Sequence, residues 1–355
     1  MSISKRAFNN ILFFLGVAAC VVMLFTFDVS FTELWQHICH AGYWMIPIIG
    51  VWGLIYLINA MSWYSVINGT KTEDEHVGFL RVFRLTITGY ALNYATPVGG
   101  LGGEPYRILE LSRDLDKRRA TSSVILYAMM HIFAHFWLWF TSIFLYFATW
   151  WYEKATGRET IMMDKLIVTL LAIAFFFCLA AFYLFSRGYK NGLVVKIIKF
   201  LGHIPGLRGW SGRFLDNHRD ALENVDRQIA ALHAQEKRAF YHSFFLEYFS
   251  RLVQALEIMF MLLLLGENCG GGLEGYILTY IHSVLILAFM SLFANLIGFL
   301  PLQLGVQEGG FVLSIAAMGL APAVGIFVSI ICRVREIIWI AIGVGLMKLP
   351  GSDKD

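Results

Sequence analysis

Charge is scarce in this chain of 355 residues. Asp, Glu, Lys and Arg together make up 15% of it, against 58% apolar residues. Soluble domains run nearer a quarter charged and half apolar. The composition therefore excludes an ordinary soluble domain and describes a polytopic membrane protein, with little length left for anything else. Cysteine is sparse and scattered. Cys20, Cys39, Cys178, Cys269 and Cys332 show no paired spacing, so neither a disulfide framework nor a metal knuckle is read from them. A phosphate loop of the Gly-x4-Gly-Lys-Ser/Thr kind is missing, which argues against a nucleotide motor. No cofactor and no nucleic-acid partner are expected. The net charge of +3 says little, because in a membrane chain the placement of the charges matters more than their sum.

What is present is a series of long apolar runs. Full spans are expected at about 11–27, 43–67, 120–151, 166–185, 241–265 and 323–347. Val17-Ala-Ala-Cys20 resembles a lipoprotein cleavage box, but apolar residues follow it directly, so the first run reads as an uncleaved span. Basic residues cluster before residue 11, across 71–84 and 107–119, across 187–238 and in the tail. The stretches 28–42 and 267–275 hold no Lys or Arg. By the positive-inside rule the basic stretches and both termini are cytoplasmic and the other two are outside. That assignment closes only if 78–112 enters from the cytoplasm and returns to it, and if a second segment around 295–320 does the same from the outside. Three spans separate the two hairpins, so they face each other from opposite sides, as in an inverted-topology repeat.

The expected fold class is thus an all-α polytopic membrane protein of about six full spans plus two re-entrant broken-helix hairpins. Residues 1–186 form the first half, with its broken hairpin at 93–113. Residues 241–348 form the second, with its broken hairpin at 295–320. Between them, 187–240 is a basic amphipathic linker. Lys190, Lys196 and Lys199 alternate with apolar residues there, and Leu215, Leu222 and Ile229 keep heptad spacing. Residues 349–355 are a tail.

Both hairpins break at glycine, proline and a carboxylate. The first reads Asn93-Tyr-Ala-Thr-Pro97-Val-Gly99-Gly100-Leu-Gly102-Gly103-Glu104-Pro105-Tyr-Arg107. The second reads Asn295-Leu-Ile-Gly-Phe-Leu-Pro301-Leu-Gln-Leu-Gly305-Val-Gln307-Glu308-Gly309-Gly310. Pro97 and Pro301 stand 204 residues apart (301 − 97), as do Glu104 and Glu308 (308 − 104). Glycine lets the backbone bend and exposes its N–H groups, and Pro105 suits the first residue of a new helix. That helix N-terminus would point inward and suits an anion such as phosphate. Glu104 caps it or competes with the anion, while Arg107 pairs with Glu104 or grips a phosphate. A tight bend with a satisfied Glu–Arg pair is the plainer alternative. Arg333, Arg335 and Glu336 lie inside the last apolar run, where unpaired charge is costly, so they are expected to face a cavity or a carboxylate such as Glu308. The substrate-binding candidates are Pro97, Gly99, Gly100, Gly102, Gly103, Glu104, Arg107, Pro301, Gly305, Gln307, Glu308, Gly309, Arg333 and Arg335. Glu247, Arg251, Gln254 and Glu257 share a helical face, with the first two at the i, i+4 spacing of an ion pair. His131 and His135 are also at i, i+4, but no third ligand follows, so a proton relay or packing is preferred to a metal.

The stretch from Pro97 to Arg107, with Leu111-Ser-Arg113 and Lys117-Arg-Arg-Ala120 after it, resembles the first signature of the lysylphosphatidylglycerol synthase transmembrane, or flippase-like, family. Leu300-Pro301 through Gly305, Glu308 to Gly310, Gly319-Leu-Ala-Pro322 and the Arg333/Arg335 span resemble its second. The resemblance implies a bacterial inner-membrane protein related to the membrane half of the multiple peptide resistance factor, which moves aminoacylated phosphatidylglycerol between leaflets. Without a soluble aminoacyl-transferase domain in the sequence, lipid synthesis by this chain is not expected, and a separate lipid-modifying synthase stands as a second partner beside the lipid itself. His131 falls where a charged residue would mirror Arg335. The leading expectation is a translocator of a phosphate-bearing, aminoacylated or other, lipid. An intramembrane enzyme with Glu104 or Glu308 as base and His131 as acid, and a non-transporting scaffold, are the alternatives.

Overall fold

The computed structural model describes residues 42–69, 77–95, 102–158, 161–190, 212, 215, 223, 237–296 and 306–348. The first expected span, most of the 187–240 linker and both glycine-proline breaks lie outside these residues. Among the described residues there are nine α-helices and no strand. They are α1 (Met45–Gly69), α2 (Phe79–Ala95), α3 (Gly103–Leu111), α4 (Lys117–Thr156), α5 (Lys165–Lys190), α6 (Lys237–Leu264), α7 (Gly272–Leu296), α8 (Val306–Ala317) and α9 (Pro322–Leu346). The chain is an all-α, multi-pass membrane protein.

Local sequence sets the ends. Asp116 caps α4 by accepting from Arg118 N at 3.0 Å, and Gly157 ends it at φ 73. Pro322 opens α9. Among the described residues four stretches are long and apolar enough to cross a membrane, at Gly42–Gly69, Lys117–Thr156, Lys165–Phe185 and Gly272–Leu296. α6 and α9 match the other two expected spans in position, but both carry buried charge. α4 has 40 residues, or ~60 Å at 1.5 Å per residue, so both its ends pass beyond a ~30 Å apolar layer. α5 leaves Leu166, Ile173, Phe176, Tyr183 and Leu184 exposed, as a lipid-facing helix does.

The first broken hairpin is re-entrant. Asn93 meets Gly103, Gly89 lies against Gly103 and Arg107, and Leu85 and Thr86 receive Arg107. At the base, Arg81 is salt-bridged to Asp114 and Glu110. The two arms therefore turn back at equal depth, after about 12 residues or ~18 Å, well short of a crossing. The second hairpin differs. α8 has 12 residues, but α7 has 25 and starts well beyond the end of α8. Its extra turns pack on the end of α4, with His282 on Glu153.

The packing repeats with the halves exchanged. α1 lies along α6, antiparallel, joined by Trp52 to Glu257, Ser62 to Ser243 and Ser65 to His242. Each other helix then swaps its partner. α2 packs on α9 as α7 packs on α4, and α3 sits between α2 and α4 as α8 sits between α7 and α9. Antiparallel equivalents in contact are the pattern that an inverted repeat leaves.

Small residues let these helices approach. A Cβ on Gly103 would collide with the Gly89 carbonyl, one on Gly343 with Ala91, and one on Gly325 with the Val312 backbone, 2.7 Å from its Cα. Gly345, by contrast, meets nothing within 4 Å. Gly325→Ala is thus expected to destabilise the α8–α9 contact by about 1–3 kcal/mol through overpacking. Gly345→Ala is expected to be neutral or to stabilise by up to ~1 kcal/mol through helix propensity. Thermal unfolding in detergent separates the two, and equal shifts would contradict the packing.

Candidate functional site

The two broken helices each deliver a glutamate to the interior, and two charged clusters grow around them. In the first, α3 begins at Gly103, so Pro105 stands at its third position rather than its first. The helix N-terminus lacks a side-chain cap from Gly102. Asn93 of α2 substitutes for one, with its Oδ1 accepting from Gly103 N at 2.6 Å. One of the N–H groups expected to face an anion is thereby taken. Asn93 Nδ2 also donates to Glu104 Oε1 at 3.2 Å, and Arg107 Nη1 donates to the same oxygen at 3.1 Å. Arg107 is 1% exposed. Its other nitrogens donate to the carbonyls of Leu85 and Thr86, and its guanidinium lies over Tyr90, Tyr127 and Trp63 at 4.8, 5.4 and 5.7 Å from the ring centroids. Gly89 makes room for it, since any side chain there would strike Arg107.

Tyr90 carries the network onward. Its hydroxyl meets Tyr127, His131 Nδ1 and Asn59 Nδ2 at 3.1, 3.0 and 3.2 Å. His131 Nδ1 in turn lies 2.8 Å from a Glu247 oxygen, and Arg251 donates to Nε2 at 2.7 Å. An arginine can only donate, so at least one ring nitrogen of His131 accepts. Glu247 and Arg251 do not form the direct ion pair that their spacing suggests. His131 from α4 stands between them, and Arg251 Nη1 turns to Gln254 Oε1 at 2.9 Å. His135 meets the His131 carbonyl at 3.0 Å. Both histidines of the i, i+4 pair thus take part in this network.

In the second cluster Glu308, in the first turn of α8, pairs with Arg333 at 3.0 Å. Arg333 also holds Glu336 at 3.0 Å, and Gln307 donates to Glu336 at 3.1 Å. Arg335 does not go to Glu308. It pairs with Glu257 of α6 at 2.7 Å and stacks over Trp52 at 3.9 Å, while Trp52 Nε1 donates to the same carboxylate at 2.7 Å. Gly309 flanks Glu308 with open space at its Cα. Tyr56, with its ring 5.4 Å from Tyr90 and 4.9 Å from Trp339, lies between the two clusters.

The structure thus brings Gly102, Gly103, Glu104 and Arg107 into one cluster and Gln307, Glu308, Gly309, Arg333 and Arg335 into the other. Pro97, Gly99, Gly100, Pro301 and Gly305 lie outside the described residues. Trp52, Asn59, Tyr90 and Tyr127 gave no sequence signal, because an aromatic or amide in an apolar run reads as packing until its partner is known. Trp63, whose place near the end of a span suits an interface anchor, is instead fully buried beside Arg107. Charges balance closely. Arg107, Arg251, Arg333 and Arg335 face Glu104, Glu247, Glu257, Glu308 and Glu336. The arginines are well occupied, whereas the spare valences lie mostly elsewhere. Glu104 Oε2, Glu247 Oε1, Asn59 Oδ1, Trp63 Nε1 and Arg251 Nε are buried without a hydrogen-bond partner, and the Glu308 side chain is 38% exposed. Buried polar groups are nearly always paired, so five orphans around Tyr90 and Arg107 suit a polar ligand.

Arg335→Leu would strand Glu257 without its cation and is expected to cost about 3–5 kcal/mol. Adding Glu257→Leu should recover most of that loss. Denaturation of both variants in detergent measures it, and additive losses would mean the pair is not coupled.

The sequence was compared with known proteins. No curated protein and no solved structure matches it. A family model described as the lysylphosphatidylglycerol synthase TM region matches residues 11–345, which take in both broken hairpins and the charged last span. The chain belongs to the lysylphosphatidylglycerol synthase transmembrane-region family.

Proposed function

We propose that this protein is a lipid translocator, which moves a phosphate-bearing, aminoacylated lipid between the leaflets of a bacterial inner membrane. The observation that carries this reading is the pair of broken-helix glutamates, each backed by an arginine, with one Glu104 oxygen buried without a hydrogen-bond partner and the Glu308 side chain 38% exposed. A headgroup with both a phosphate and an amine can insert into a Glu–Arg pair without changing the net charge. The phosphate takes the guanidinium, the carboxylate takes the ammonium, and neither buried charge is stranded. A bare phosphate would displace the carboxylate and leave it unpaired. Acyl chains stay in the bilayer while the headgroup passes between the hairpins, whose alternate exposure supplies the movement. The termini and the basic stretches would be cytoplasmic. A separate lipid-modifying enzyme would supply the aminoacylated substrate.

The test is headgroup transfer in proteoliposomes, with fluorescent aminoacylated, anionic and isoprenoid-phosphate lipids scored by quenching from one side. Glu104→Gln and Glu308→Gln keep the shape and one hydrogen bond but lose the charge. A lost charge-assisted bond of about 1.5–3 kcal/mol predicts a fall in transfer of roughly ten- to a hundredfold. Wild-type rates in both variants would point to a scaffold. A chemically altered lipid recovered from the vesicles would point to an enzyme.

A further inference from the structure

A third polar cluster lies away from the broken helices, where the end of α4 meets the start of α7. Glu153, in the last turn of α4, is 1% exposed, and so is His282 of α7. His282 Nε2 lies 2.7 Å from Glu153 Oε1, and the other carboxylate oxygen accepts from Ile161 N at 3.1 Å. On the far side of the ring, Nδ1 is 3.4 Å from Cys269 Sγ. The ionised carboxylate can only accept, so Nε2 carries a proton, which leaves Nδ1 to exchange a proton with the thiol.

The loop that presents Cys269 is built for this position. Gly270 at φ 138 and Gly272 at φ 70 take backbone conformations that other residues avoid. Cys269 N donates to Thr279 Oγ1 at 3.1 Å, which folds the loop back onto α7. A Cβ on Gly275 would strike the Gly270 carbonyl, so the loop can settle only on a glycine. Arg158 donates to the Cys269 carbonyl at 3.1 Å and pairs with Glu274 at 2.8 Å, to which Tyr152 also donates. Cys269 is partly exposed, whereas Cys178 and Cys332 are buried. The Glu153–His282 pair alone would fasten α4 to α7. It does not need a thiol on the remaining ring nitrogen. Thiol, imidazole and carboxylate in this order are a nucleophile, its base and the group that orients the base.

We propose that Cys269, His282 and Glu153 form an acyl-accepting thiol site, taking its acyl group from an ester presented at the membrane surface. His282 Nδ1 takes the thiol proton as Sγ attacks the ester carbonyl. The C–S bond forms and the ester C–O bond breaks. The alkoxide leaves with the proton held by His282. Water then attacks the thioester by way of the same imidazole, releasing the carboxylic acid and restoring the thiol. The start of α7 and Arg158 place positive potential near the reacting sulfur. Glu153 touches neither sulfur nor substrate and acts as a positioning residue.

The purified full chain in detergent, treated with p-nitrophenyl butyrate, tests this directly. The expected result is one equivalent of p-nitrophenolate in a burst and one hydroxylamine-labile butyryl group on Cys269, both lost in Cys269→Ser. His282→Gln should slow the burst about a hundredfold, the usual scale of a lost general base. Arg158→Gln, at the surface, should fold in any case and slow it several-fold. Butyryl on Cys178 or Cys332 as readily as on Cys269 would overturn the proposal. So would no acylated cysteine in the wild type, or an unchanged burst in both the His282 and Arg158 variants.

Discussion

A charge inside a membrane must find its opposite within the protein, and the interior of this one is organised by that demand. Five carboxylates and four guanidinium groups converge where α1, α2, α6 and α9 meet the two broken helices. An arginine or glutamate alone at that depth would cost several kcal/mol. Each is therefore locked to partners on other helices, and the helices are locked to each other in consequence. Trp52, Glu257 and Arg335 tie α1, α6 and α9 together. Tyr90, His131, Glu247 and Arg251 tie α2, α4 and α6. The apolar surroundings give no comparable registration, because side chains and lipid tails are equally oily.

That same demand explains why the sequence was legible in some places and not in others. Glycines, prolines and a glutamate between apolar runs announce a broken helix at Glu104 and again at Glu308, because nothing else tolerates that mixture at membrane depth. The parity of the loop charges calls for a segment that turns back on itself there, and α2 and α3 do lie together from Arg81 to Asp114. Partner choice was not legible. Arg335 faces Glu257 rather than Glu308, since two residues along a helix rotate a side chain by about 200° at 3.6 residues per turn. Glu247 and Arg251 have the spacing of an ion pair, yet a histidine from another helix comes between them. Only tertiary contacts decide such matters. The apolar run over 275–299 shows the length of α7, but not that its first turns answer to Glu153 on α4.

The exchanged packing of the halves bears on how the two clusters relate. α1 lies against α6 as its own counterpart, so whatever moves one half relative to the other must act across that seam. Serines 62 and 243 face each other there at 2.8 Å, which allows close approach without a bulky interlock. The repeat is carried by the backbone rather than the side chains. At the offset that aligns Glu104 with Glu308, Arg335 coincides with His131 and Arg107 with Phe311.

The different placement of the two arginines gives the hairpins different mechanics. Glu104 is paired within its own short helix, three residues from Arg107; Arg107 also donates to carbonyls of α2, and Glu104 accepts from Asn93 Nδ2 of that helix. A joint displacement of α2 and α3 would therefore leave Glu104 and Arg107 together. Glu308 is paired with Arg333 on the following span. A shift of α8 along α9 would instead stretch that bridge, so the two glutamates would respond differently to the same displacement.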